Sequence, residues 1–108
     1  MTTQVDEKKI WNKEEIRELL DYNDNAVLRG ILVIYSLQTE EEKKRDETLE
    51  HNGVGFSGVD NTFMSSLAKW ILQHGGLSEK QMHYGRKKIK KYARQLADVA
   101  NGKIKISI

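Results

Sequence analysis

Apolar residues recur at helical spacing in four stretches of the chain, and the polar residues between them carry helix start and stop signals. Ile16, Leu19 and Leu20 form the first i, i+3, i+4 stripe. Asn12 precedes it with Glu15 three residues on, a pairing in which each side chain can cap a backbone N–H at a helix start. Tyr22-Asn23-Asp24-Asn25 breaks the stripe and supplies new caps. Residues 26–37 are the most apolar segment: Val27, Leu28, Ile31, Leu32, Val33, Ile34 and Tyr35 cover most sides, so a central helix is expected there. A buried strand over 31–35 is the competing reading, because periodicity does not separate helix from strand in so short a run. Thr39 with Glu42 repeats the capping pattern and opens the charged stretch 40–50, expected as a solvated helical turn or as a continuation of the central helix.

After a glycine-rich loop at 51–59, Asp60 is expected to cap a helix whose face is Phe63, Met64, Leu67, Ala68 and Ile71, with Trp70 flanking. Gly75-Gly76 should end it, since glycine takes the left-handed C-cap conformation without Cβ strain. Ser78 with Gln81 marks a third capping box, and from there the pattern predicts one long amphipathic helix over 79–101, stopped by Asn101-Gly102. Its apolar side is expected against the 63–71 helix, returned antiparallel by the glycine turn. Residues 103–108 alternate apolar and polar as a short edge strand would, needing a partner from residues 5–11 or from another chain. The fold class is therefore mainly α: a small helical bundle with a long C-terminal basic amphipathic helix and a short edge strand in the tail. The expected organisation is a flexible N-terminal segment (1–11), a helical domain (12–102) and a strand-like tail (103–108).

Composition narrows this further. A chain of 108 residues is one domain with a modest core. Apolar residues make 38% and proline is absent, which favours helices over a β-sandwich. The lack of cysteine excludes disulfides, Cys-ligated zinc and thiol catalysis. The longest apolar run, 31–35, is far short of the roughly 20 residues of a membrane span. The opening residues lack the apolar core of a secretory signal, so a cytoplasmic protein that does not enter membranes is expected.

Charge is divided along the chain. Residues 1–50 hold 8 Lys/Arg against 13 Asp/Glu, a net −5, whereas residues 51–108 hold 10 against 3, a net +7. The excess gathers on the last helix. At 100° per residue Lys80, His83, Arg86, Lys87, Lys90, Lys91 and Arg94 share one arc. Met82, Gly85, Ile89, Tyr92, Ala93, Leu96, Val99 and Ala100 share the opposite one, with Lys88 at the boundary. Six like charges repel, so something must offset that cost. A phosphate backbone would do so by counterion release, and the acidic half of the chain, above all 40–50, would do so by covering the strip. The nearby carboxamides are Gln95 and Asn101, so weak sequence preference is expected. A protein partner, or a homodimer in which tails pair and opposite faces meet, also fits.

Residues 53–58 match G-x-G-x-x-G in form, but no strand precedes them and a carboxylate, Asp60, opens the helix where phosphate would sit. The loop reads instead as structural, with Phe56 plugging the core. Its unbonded N–H groups could also support a partner contact over Asn52, Gly53, Gly55, Phe56 and Gly58. His51, His74 and His83 show no metal-ligand spacing, the serines have no adjacent base, and the Glu40-Glu41-Glu42 run reads as a solvated face. No enzyme activity, metal or cofactor is expected.

The Asn52-Gly53-Val54-Gly55-Phe56 loop with Asp60, and the Leu77-Ser78-Glu79-Lys80-Gln81 start with Lys91-Tyr92 and Gln95-Leu96, resemble a small helical module of phage and mobile-element proteins. Some such modules stand alone and some are attached to proteins of DNA metabolism such as helicases. The resemblance spans about residues 23–102. It implies a nucleic-acid setting, in host cytoplasm if phage-encoded, and brings no catalytic residues. The combined expectation is an accessory protein that binds nucleic acid through the basic face. The alternative is an adaptor or inhibitor of a host protein such as a nucleic-acid enzyme.

Overall fold

The computed structural model describes residues 10–45 and 55–103, with 39–45 as backbone alone. The expected tail strand at 104–108, its partner at 5–9, the charged residues 46–50, and His51, Asn52 and Gly53 lie outside the described residues. The chain is mainly helical: α1 (Lys13–Tyr22), α2 (Asp24–Arg45), α3 (Gly58–His74), α4 (Glu79–Ile89), a 3-10 turn (Lys90–Tyr92) and α5 (Ala93–Ala100). No strand occurs among the described residues.

The start signals act as expected at two helices. Asn12 Oδ1 accepts from the Glu15 N–H at 2.9 Å and Glu15 accepts from the Asn12 N–H at 3.2 Å, opening α1. Ser78 and Gln81 exchange the same pair at the start of α4. Asn23 separates α1 from α2 and accepts from the Ala26 N–H at 3.0 Å. Thr39, by contrast, starts nothing. It lies inside α2, where backbone N–H groups already have carbonyl partners one turn back and a cap has nothing to satisfy. The strand alternative at 31–35 also falls, because Val27, Ile31 and Ile34 are fully buried at helical spacing.

That spacing makes α2 the centre of the core. Its buried side joins Leu20 of α1, Met64 of α3 and Ile89 of α4, each worth about 1.5–3 kcal/mol when removed from water. Gly85 permits close approach: a Cβ there would stand 3.1 Å from Leu67 Cδ1 and 3.3 Å from Ile31 Cδ1. α4 therefore settles on α2 as well as on α3, rather than on α3 alone.

The predicted long helix is not continuous. α4 ends at Ile89, the backbone tightens over Lys90–Tyr92, and α5 packs chiefly against α1. Tyr92 explains the break. Its buried ring meets Phe56 edge-on at 5.4 Å, and its hydroxyl reaches the start of α3. The tightened turn lets α4 serve α2 and α3 while α5 serves α1. Gly75, at φ 84°, ends α3 as expected. Asp60 is not the cap of that helix: Ser57 holds the cap position, and Asp60, three residues later, turns inward and is buried. The two ends of the helical part are tied by Asn101, which accepts from the Trp11 N–H at 2.7 Å and donates to the Trp11 carbonyl at 2.8 Å.

Candidate functional site

The basic residues of α4, the 3-10 turn and α5 divide into two flanks and a ridge, because α4 lies between neighbours on both sides. On the flank toward α1, Arg86 Nε donates to the Leu20 carbonyl at 2.7 Å and its guanidinium pairs with Asp24, while Lys90 Nζ lies 2.6 Å from Asp21. α1 has no basic residue in its own last turn. Arg86 and Lys90 supply the cations that its exposed carbonyl end favours.

On the flank toward α3 the organising group is Asp60, whose residue is 1% exposed. Lys91 Nζ approaches one of its oxygens at 2.8 Å and Lys88 Nζ the other at 3.3 Å, and Tyr92 donates its hydroxyl at 2.7 Å. Burial alone would raise the carboxyl pKa. The bonds from Lys91, Tyr92 and Lys88 outweigh it and hold the group at about 2. The Lys91 ammonium is raised, chiefly by its bond to Asp60. The Tyr92 phenol is raised first by burial and further by the carboxylate it bonds.

Between the flanks runs an outer ridge. Lys80, Lys87 and Arg94 are exposed and have no ion pair among the described residues. His83 is exposed beside them, its ring edge-on to Tyr84 at 4.9 Å. Lys91, 55% exposed, reaches the ridge from the Asp60 flank. Of the seven residues expected to form one strip, Arg86 and Lys90 are thus committed to α1 and α2, Lys91 is shared, and four point outward. The acidic half does neutralise part of the strip, through Asp21 and Asp24; the side chains of 40–50 lie outside the described residues.

The glycine loop is drawn into the fold. Gly55 donates to Gln95 at 2.9 Å and accepts from it at 3.1 Å, Phe56 donates to Gln38 at 3.1 Å, and Ser57 donates to the Tyr92 hydroxyl at 2.9 Å. Phe56 is buried, as its expected plug role requires, and Gly58 is exposed at the first position of α3. Gly55 has φ 95°, and a Cβ there would meet Gln38 Cα at 3.0 Å and Cβ at 2.9 Å. The carboxamides nearest the ridge, Gln95 and Asn101, are both engaged with backbone.

Sequence reasoning missed Asp60, Asp21 and Asp24 as partners of the strip. The charge asymmetry hinted at the last two; for Asp60 the one sign was Lys88 straying from the arc. Among the described residues no group of three or more His, Asp or Glu could hold a metal ion, and no helix is long and apolar enough to cross a membrane. Fold and site together define a mainly helical protein with a cationic ridge. Comparison with known proteins returns no match to a family model, a curated protein or a solved structure.

Proposed function

We propose that this protein is a small accessory factor of phage or mobile-element type that binds nucleic acid electrostatically, without catalysis, through the outer ridge. The observation that carries this reading is the set of exposed cations Lys80, Lys87 and Arg94, set seven residues apart and without an ion pair among the described residues. Within α4 that spacing is about 10 Å, two helical turns. Cations so placed repel one another and gain by displacing the counterions of a phosphate chain. Direct base reading is not favoured, because Gln95 and Asn101 are occupied with backbone.

Fluorescence anisotropy with labelled DNA and RNA across a salt series tests it. Three to four phosphate contacts give a slope of log K against log salt between about −2 and −4. Joint reversal of Lys80, Lys87 and Arg94 to Glu abolishes binding while helicity is kept. No binding to any strand at low salt, or unchanged affinity after reversal, overturns the proposal. An adaptor for an acidic host protein would use the same cations. It would bind an acidic polypeptide as tightly as nucleic acid of equal charge, and that comparison separates the two.

A further inference from the structure

Resting on the nucleic-acid reading, we infer that the ligand is single-stranded, with its bases stacked on Phe63, Trp70 and Tyr84 where α3 and α4 meet. These rings are 37%, 43% and 45% exposed, although the core of both helices is built from smaller apolar residues. Their shared surface follows from the packing. Gly85 sits against Leu67, Lys88 Nζ lies 6.0 Å from the centre of the Phe63 ring, and Lys88 and Lys91 both reach Asp60. These contacts run α3 and α4 past each other in opposite directions. Tyr84 precedes Lys88 by four residues and so stands on the same flank of α4. Phe63, whose ring Lys88 approaches, and Trp70, seven residues on, lie two turns apart along the same side of α3. The other flank, at Asn61 and Ser65, bonds Gln38 of α2. The Trp70 ring is steadied by His74 at 4.1 Å.

Lys80 and Lys87 fall within about 60° of Tyr84 around α4, so these two ridge cations border the Tyr84 ring. That combination matches an unstacked strand. A duplex keeps its base faces inside the stack, and phosphate contacts alone would leave the exposed part of the three rings uncovered. A single strand offers phosphates to the ridge and base faces to the aromatics. A second copy of this chain fits less well, because the same cations would meet like charge.

The test uses a Trp11→Phe protein, in which Trp70 is the remaining tryptophan, titrated with oligothymidylate, oligouridylate and a mixed-sequence duplex at equal salt. Single strands are expected to quench Trp70 emission and bind at least about five-fold tighter than duplex. The Tyr84→Ala change, and Trp70→Ala read by anisotropy, should each weaken single-strand binding roughly five- to hundred-fold, leaving duplex affinity and the salt slope unchanged. Preference for oligothymidylate or for oligouridylate assigns the sugar, and either supports the inference. Equal affinity for strands and duplex without quenching overturns it, as does wild-type single-strand affinity in both variants. If charge reversal on the ridge still abolishes binding in those cases, the electrostatic reading survives alone. Absence of all binding sinks both. Self-association that is lost on Trp70→Ala while strand affinity is kept would assign the rings to a second copy and overturn the inference.

Discussion

Replacing Asp60 by asparagine keeps the shape of the buried side chain while removing its charge, and the structure sets the cost. The carboxyl is held at about 2 against an ordinary value of 3.8. At about 1.4 kcal/mol per unit, the charged form contributes about 2–3 kcal/mol to folding at neutral pH. The Asp60 side chain is 0% exposed, whereas Lys88 and Lys91 are partly in water and can rehydrate once the charge is gone. The loss should therefore stay below the 3–5 kcal/mol typical when a buried ion is stranded. For a chain of this length about 2–3 kcal/mol lowers the melting temperature by roughly 11 °C. The sign with pH is fixed by the depressed value. The contribution is complete above the unfolded pKa and is lost as pH falls from about 5 to about 2. Urea denaturation followed by circular dichroism should give wild type an advantage of about 2–3 kcal/mol at pH 7 that closes toward pH 2. A difference under about 0.5 kcal/mol at pH 7, or one that stays constant with pH, refutes the reasoning. The same substitution releases Lys88 and Lys91, so under the proposed nucleic-acid reading Asp60→Asn should bind more tightly, with a salt slope steeper by up to about 1.4 for single strands.

Three further outcomes are expected. Gly55→Ala should cost at least about 2 kcal/mol in urea denaturation, because φ 95° and the Gln38 backbone both oppose a Cβ; a loss under about 0.5 kcal/mol would contradict that geometry. Asn101→Ala removes both bonds to the Trp11 backbone and should lower stability by about 1–2 kcal/mol, with a red shift of Trp11 emission as the N-terminal segment loosens. Arg86→Ala and Lys87→Ala should separate structure from binding: the first destabilises by about 1–2 kcal/mol through the lost Leu20 and Asp24 contacts. The second leaves stability within about 0.5 kcal/mol and weakens binding. Equal effects of the two on affinity would show that the partition of the basic face is not the one that matters.

The helices were legible wherever a local signal and the apolar spacing agreed. Asn12–Glu15, Ser78–Gln81 and Gly75 each act within four residues, and Val27, Ile31 and Ile34 carry a helical period whatever packs against them. What failed depended on contacts distant in sequence. Thr39 and Glu42 have the form of a cap, but α2 runs through them and leaves no unbonded N–H to cap. Tyr92 fits the apolar arc of a continuous helix, and nothing near it in sequence shows that its hydroxyl will bond Asp60, 32 residues away. Asp60 looked like a cap by position, and only the opposite helix reveals it as the anion that two lysines share.

The basic face shows why a helical wheel overstates a binding strip. An arc of about 140° cannot stay wholly in solvent when the apolar arc behind it packs between two neighbours, since its edges must border both. Cations on those edges meet whatever the neighbours carry. Here α1 ends without a cation of its own and α3 begins with a buried carboxylate, so Arg86 and Lys90 go one way and Lys88 and Lys91 the other. Charge that counts seven residues in sequence therefore leaves three Lys/Arg without an ion pair among the described residues, one shared lysine and one histidine facing outward. The division also fixes how the ridge is presented. Ion pairs on both flanks tie α4 to its neighbours, so Lys80 and Lys87 project from a helix whose orientation is already fixed. A phosphate chain would then meet cations whose ordering cost at the backbone was met on folding.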